Sequence, residues 1–289
     1  MGRESCQMSD AVGVLSNPAT GLVDRAEPAD AAGRICAVLG VRIADLSKPD
    51  AIARLDRMLA RHDHRARSIF FVNAHTLNLT VDDPRFREVL NSADLVLNDG
   101  TGVRWAARQR GIRLQDNLCG TDFVPDFLAA TSQRGYRYYL LGADPASVRR
   151  AAQTAQERFP GWTLAGYHHG YINEAQSAAV VQRINASGAH LLLVGMGNPL
   201  QERWIHRHQP ALRVPLCIGV GGLFDHWSGD VPRAPAWVRR LGYEWLHKLL
   251  HQREKWRRYL IGNPKFLLRI TAAWHSDRQM IEAANAPRD

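Results

Sequence analysis

The chain has 289 residues, 45% of them hydrophobic, and a formal net charge of +9. It can bury one large core or two small ones, but no run approaches the roughly 18 apolar residues of a membrane span. Four scattered cysteines (Cys6, Cys36, Cys119 and Cys217) lack C-x-x-C spacing, which argues against a disulfide framework or a zinc site and fits a reducing cytoplasmic setting.

Residues 1–30 are rich in Ala, Asp, Gly, Pro and Ser and read as a disordered leader with no secretory signal; Met8 is an alternative start. From residue 31 to 232, strand-like and helix-like runs alternate. Ser68–Val72 reads as a strand. Pro84–Ser92 reads as a helix with Asp82 or Asp83 as N-cap. Ala93–Leu97, Tyr136–Leu141, Thr163–Tyr167, His190–Gly195 and Val214–Val220 read as further strands. Gly102–Arg110, Pro145–Arg158, Glu174–Ser187 and Asn198–His208 read as helices between them. This order predicts an α/β fold, a Rossmann-like parallel sheet flanked by helices. In such sheets the ligand lies at the carboxyl ends of the strands.

Those strand ends hold the candidate chemistry. Asn73 follows the first strand. Asn98-Asp99-Gly100 ends the next, so Asp99 stands at the ligand edge as a general base or as part of an ordinary Asp-Gly turn. Cys119-Gly-Thr121-Asp122 carries a further polar pair. Gly195-Met-Gly197-Asn-Pro-Leu-Gln201-Glu202 follows a strand and opens a helix, either to cradle phosphate or as a tight turn. It is not G-x-G-x-x-G, which disfavours a dinucleotide site. Gly219-Val-Gly221-Gly-Leu-Phe-Asp225 is a third glycine-rich end, where Asp225 holds a sugar hydroxyl or caps the next helix. Among twelve histidines only His247 and His251 share a helix face among the close pairs, and H-E-x-x-H is absent, so no metal ligands are expected.

Residues 233–275 read as a basic, aromatic helical appendage, followed by a tail at 276–289. Arg233 to Arg269 holds ten Lys/Arg against two acids, a net +8, interleaved with Trp237, Tyr243, Trp245, Trp256, Tyr259 and Phe266. Basic groups among interfacial aromatics suit an anionic membrane surface. The alternative is a basic membrane-associated or nucleic-acid-binding protein without transferase activity. The glycine-rich strand ends favour an enzyme, and nucleic acid is not expected as a partner.

Taken in order, Asn73-Ala74, Asn98-Asp99-Gly100, Gly120-Thr-Asp122, Leu140-Leu-Gly142, Gly195-x-Gly-x-Pro-x-Gln-Glu202, Gly219-Val-Gly-Gly-x-Phe-Asp225, Arg233-Ala-Pro235, Leu241-Gly-x-Glu-Trp-Leu246 and Asn263-Pro-Lys-Phe266 are similar to the bacterial WecG/TagA/CpsF glycosyltransferase family. The resemblance spans about Leu39 to Leu268. It implies an inverting transferase that moves a hexose (N-acetylmannosamine, its uronic acid, or glucose) from a UDP-sugar to a polyprenyl-diphosphate-linked sugar. The setting implied is the cytoplasmic face of the membrane, in surface polysaccharide or exopolysaccharide synthesis. It also implies Asp99 as base, Gln201 as a substrate contact, and Lys248, Lys255 and Arg258 as diphosphate-binding cations of the appendage. Phe71 stands where the family often has a small hydroxyl residue. With no D-x-D triplet in the chain, catalysis without a metal or other cofactor is expected. Homo-oligomerisation is left open.

Overall fold

In the computed structural model, residues 34–61, 63, 65–232 and 260–286 are described. Among the described residues, eight strands and eleven α-helices follow in order: β1 (Ile35–Val38), β2 (Val41–Ala44), α1 (Lys48–Ala60), β3 (Arg67–Val72), α2 (Ala74–Asp82), α3 (Pro84–Asn91), β4 (Leu95–Asn98), α4 (Thr101–Gln109), α5 (Gly120–Ala130), β5 (Arg137–Gly142), α6 (Pro145–Arg158), β6 (Thr163–His168), α7 (Glu174–Ala186), β7 (Leu191–Gly195), α8 (Leu200–His208), β8 (Leu216–Gly219), α9 (Leu223–Trp227), α10 (Gly262–Ala272) and α11 (Trp274–Ala284).

β3 to β8 form one parallel sheet in the order β4-β3-β8-β7-β5-β6. The strands bury both faces, so their sequences read as apolar runs rather than alternations. Even so, the pleat sorts successive residues. Phe70, Val72, Val96, Leu141, Leu192 and Val194 join the core beneath α2, α3, α4, α7 and α8. Ile69, Phe71, Leu97, Leu140, Leu193 and Ile218 join the core beneath α1, α5, α6 and α9. The helices therefore divide between two faces, and the helix after β3 (α2) and the helix after its neighbour β8 (α9) lie on opposite sides. In open α/β sheets the ligand crevice lies at the carboxyl ends where such connections part.

The helix starts follow from local chemistry. Ser47, Asn73, Asp83, Asp144 and Asn173 each accept a backbone N–H in the first turn of the helix that follows. Pro84 and Pro145 open α3 and α6, where a missing N–H costs nothing. Cys36 and Cys217 are buried core thiols, and burial pushes both up to about 12, which removes thiolate chemistry at neutral pH.

The β1–β2 hairpin was not anticipated from the sequence. Its tight turn places Leu39 (φ 52) and Gly40 (φ 73) in the left-handed region. Both turn N–H groups are held by the carboxylate of Asp277 on α11: Leu39 N donates to Oδ2 at 2.9 Å and Gly40 N to Oδ1 at 2.8 Å. Asp277 also pairs with Arg110, whose Nε donates at 2.9 Å, and both side chains are fully buried. Arg110 in addition donates to Ala106 O and Ile270 O. The boundary expected at 275/276 falls inside α11, close to this network. Phe266 and Ile270 of α10 are buried in the same core. The leader at 1–30, most of the basic segment and the last three residues lie outside the described residues.

Candidate active site

At the end of β3, Asn73 caps α2. Its Oδ1 accepts from the backbone N–H of His75 (3.1 Å) and Thr76 (3.2 Å). The cap fixes the amide, and its Nδ2 donates to Asp99 Oδ2 at 3.3 Å. Asp99 continues the β3–β4 ladder by one residue, its N–H donating to Val72 O at 2.8 Å. Its side chain is half-buried at the carboxyl edge. The next residue, Gly100, has φ 96 and donates its N–H to Asn117 Oδ1 at 2.7 Å. A Cβ there meets nothing within 4 Å, so glycine is required by the backbone angle and not by crowding. A carboxylate oriented by one amide, and otherwise open at the ligand edge, has the geometry of a proton acceptor.

The second cluster lies at the ends of β7 and β8. β8 is next to β3, and adjacent strands are about 4.8 Å apart, so both clusters share one edge. Gly195 packs so closely that a Cβ would lie 2.8 Å from the Phe224 ring, and a Cβ on Gly142 would lie 2.2 Å from Gly195 O. Gly197 has φ 78, and the Asn198–Pro199 peptide is cis. Gln201 and Glu202 then begin α8 but point inward, 2% and 0% exposed. Glu202 Oε1 accepts from Gln201 Nε2 at 2.7 Å and from Asn198 Nδ2. Gln201 Oε1 accepts from Gly221 N at 2.9 Å. One chain of hydrogen bonds therefore joins the β7–α8 loop to the β8–α9 loop. Burial raises the Glu202 carboxyl to about 7, and its Oε2 has no partner among the described residues.

The other expected residues fall around these two clusters. Thr121 and Asp122 open α5, half-buried. That helix start is seated on β3, because Gly120 would place a Cβ 2.9 Å from the Phe71 ring. Phe71 is itself 6% exposed and meets Phe123 edge-on, so it fills the space beneath α5. Gly221 (φ 55) is held by Gln201, and Asp225 sits in the first turn of α9 with its Oδ2 close over Gly222. Lys248, Lys255 and Arg258 lie outside the described residues.

Sequence reasoning missed two residues at this edge, Asn117 and Tyr171. Asn117 holds Gly100, while Asn198, expected as part of the Gly195 loop, also holds Glu202 through its side chain. Tyr171, just past β6, is 75% exposed and follows Gly170, which packs against Gly142. Its signal was available, since Gly170-Tyr171 follows a strand as the other motifs do. Cavities of about 390 and 500 Å³ open elsewhere, beside Ala66 and Ser92 and beside Tyr136, His190 and Pro215, at the amino ends of the strands. They are remote from the motifs and lie on the edge where α/β sheets do not bind substrate.

A glycine-rich edge with one oriented carboxylate, on a doubly wound sheet without a dinucleotide fingerprint, is compatible with a group-transfer enzyme. Residues 36–280 match the model of the glycosyl transferase WecG/TagA/CpsF family, and the chain belongs to that family. Among its relatives are proteins named N-acetylglucosaminyldiphosphoundecaprenol N-acetyl-β-D-mannosaminyltransferase. The one from Bacillus spizizenii is 33% identical over 190 residues, covering 66% of this chain and 73% of the relative. Its counterpart from Bacillus subtilis is 30% identical over 199 residues, covering 69% and 77%. The protein of that name from Staphylococcus aureus strain MW2 is 29% identical over 238 residues, covering 82% and 92%.

Proposed function

We propose that this glycosyltransferase moves a hexose from a UDP-sugar to a sugar on a polyprenyl diphosphate, with inversion at the anomeric carbon. The names of the relatives support the acceptor and point to N-acetylmannosamine, with its uronic acid and glucose as the other donors to test. The observation that carries the mechanism is the half-buried Asp99 carboxylate, oriented by Asn73 at the ligand edge.

The acceptor hydroxyl oxygen attacks the anomeric carbon as its proton passes to Asp99. The bond from that carbon to the UDP oxygen breaks, and UDP leaves with the electron pair. Cations near the departing diphosphate stabilise its charge; Lys248, Lys255 and Arg258 are assigned that task. The Gly195–Asn198 backbone lies against the donor. Gln201 and Glu202 act from beneath, since their side chains are buried and tie Asn198 to Gly221. Tyr171 offers a stacking face for the uracil ring, Asp225 an acceptor for ribose hydroxyls, and Thr121 and Asp122 contacts to a sugar. The basic, aromatic segment from Arg233 brings the enzyme to an anionic membrane surface on the cytoplasmic side.

The test is a screen of UDP-sugars against a polyprenyl-diphosphate-linked N-acetylglucosamine acceptor, with the product read by mass. The expected product carries one added hexose and releases UDP. Hydrolysis of donor without acceptor elongation, for every sugar, would reject the reading.

A further inference from the structure

Asp99 lies between two residues that are tied to one loop. On its amino side, Asn98 is 1% exposed, and its Nδ2 donates to Asp116 O at 2.9 Å. On its carboxyl side, the Gly100 N–H donates to Asn117 Oδ1 at 2.7 Å. Both acceptors belong to the connection between α4 and α5, residues 110–119. That connection is itself braced. Arg110, at its start, belongs to the buried Asp277 network, and Leu114 and Leu118, on either side of the two acceptors, are buried. Gln115 N donates to Asp45 Oδ1 at 2.8 Å, and Gln115 Nε2 to Asp45 O at 3.0 Å. Asp116 Oδ2 accepts from Lys48 N at 2.7 Å, at the start of α1. The acceptors are thus anchored on the core and on the segment between β2 and α1, independently of the turn they grip.

The turn needs such a grip. At φ 96, Gly100 occupies a region that glycine enters freely, and a Cβ there would meet nothing within 4 Å. Gly100 is also the N-cap of α4, which has no side-chain hydrogen bond at that position. Crowding and capping therefore leave the turn loose. A peptide unit is planar, so holding the Gly100 N–H fixes the rotation that follows the Asp99 Cα. The Asp99 N–H on Val72 O, at 2.8 Å, fixes the rotation before it. Asn73 holds the carboxylate at 3.3 Å. Two of these three restraints come from β3 and the cap that follows it, and the third comes from Asn117. The Asn117 side chain is exposed, so core packing does not require it.

We propose that Asn117 is a positioning residue for the transfer step. Its side-chain oxygen clamps the Asp99–Gly100 peptide and so holds the base at the angle from which it meets the acceptor hydroxyl. The proposal rests on the reading of Asp99 as the base. Asn117 acts through Gly100 and not by touching the sugars. Orienting a reacting group raises turnover and leaves ground-state binding alone, so the clamp is visible in kcat and not in KM.

The experiment compares full-length wild type with Asn117→Ala, Asn117→Asp and Asp99→Asn. Alanine removes the acceptor. Aspartate keeps an acceptor oxygen at the same reach but lacks the amide N–H groups. Readouts are kcat and KM with the UDP-sugar that supports turnover and the polyprenyl-diphosphate-linked N-acetylglucosamine acceptor, thermal melting, and hydrogen exchange of the Gly100 amide. Asn117→Ala is expected to lose kcat by roughly tenfold with both KM values within about twofold of wild type. Its melting is expected to be unchanged, while the Gly100 amide exchanges at least about tenfold faster. Asn117→Asp is expected to restore slow exchange and to bring kcat back to within about threefold of wild type, because a carboxylate accepts the same N–H. Wild-type kcat in Asn117→Ala overturns the proposal, as does a raised KM with kcat unchanged. An equal loss of kcat in the alanine and aspartate variants also overturns it, by assigning the effect to the amide N–H groups as a direct substrate contact. Asp99→Asn separates the clamp from the base. Wild-type turnover in that variant removes the base reading and the proposal with it, whereas lost turnover there beside wild-type turnover in Asn117→Ala overturns the clamp alone.

Discussion

Two carboxylates stand at the carboxyl edge of the same sheet, and the protein treats them in opposite ways. Asp99 is half-buried and receives one amide hydrogen bond, at 3.3 Å from Asn73. Glu202 is fully buried and receives two amide hydrogen bonds on Oε1, and none on Oε2 among the described residues. The first stays partly exposed, with one oxygen held by Asn73. The second has turned its acceptor capacity inward and ties two loops together. Two acids at one sheet edge thus differ in burial and in hydrogen bonding, which a motif alone does not specify.

The largest expected effect is on stability and lies away from both groups. Asp277→Ala leaves Arg110 buried and uncompensated, and removes the acceptor of two turn N–H groups. Loss of one partner of such a pair typically costs about 3–5 kcal/mol, read as a lower urea midpoint. A truncation that removes α11 would inherit this defect, so loss of activity in it says nothing specific about the basic segment. Point substitutions of Lys248, Lys255 and Arg258 are the cleaner test.

Next is the pH response of Glu202. Its folded value of about 7 stands above the unfolded carboxyl range, so the folded state holds this proton more tightly. The contribution is therefore fully present below about pH 4.5 and is lost as pH rises through about 7. Glu202→Gln mimics the protonated acid and can keep the Oε1 bonds. Relative to wild type it should gain up to about 3 kcal/mol between pH 5 and pH 8 in urea titrations. A wild-type-minus-variant difference that does not change with pH would mean that Glu202 is not held this way.

A smaller effect is expected from Asn73→Ala. It removes the α2 cap, costing about 1 kcal/mol, and frees Asp99 from its orienting amide. Turnover should fall by roughly tenfold, with the KM for donor little changed, as expected for loss of a positioning contact. A change confined to stability would reduce Asn73 to a cap.

Much of this was legible in the sequence because the parallel sheet leaves strong marks: apolar strands, proline or Asx at helix starts, and glycine where strands end. Asp83 capping α3 and the bounds of α6 match the sequence reading. The hairpin β1–β2 was not legible, since its four-residue strands are short and its turn depends on Asp277, more than 230 residues away. The inward turn of Gln201 and Glu202 was also hidden. Spacing places them in the first turn of a helix, but which side faces the core is set by the contact with Gly221 on another loop. Tyr171 escaped notice because a lone aromatic after a strand usually reads as core.

The central claim is that Asp99 takes the acceptor proton. Its most direct test is Asp99→Asn, with steady-state turnover measured beside UDP affinity by calorimetry. The variant keeps the side-chain shape and is expected to lose turnover by roughly 10²-fold or more, the scale of a general base, with UDP affinity and melting unchanged. Near-wild-type turnover with donor binding intact would contradict the account.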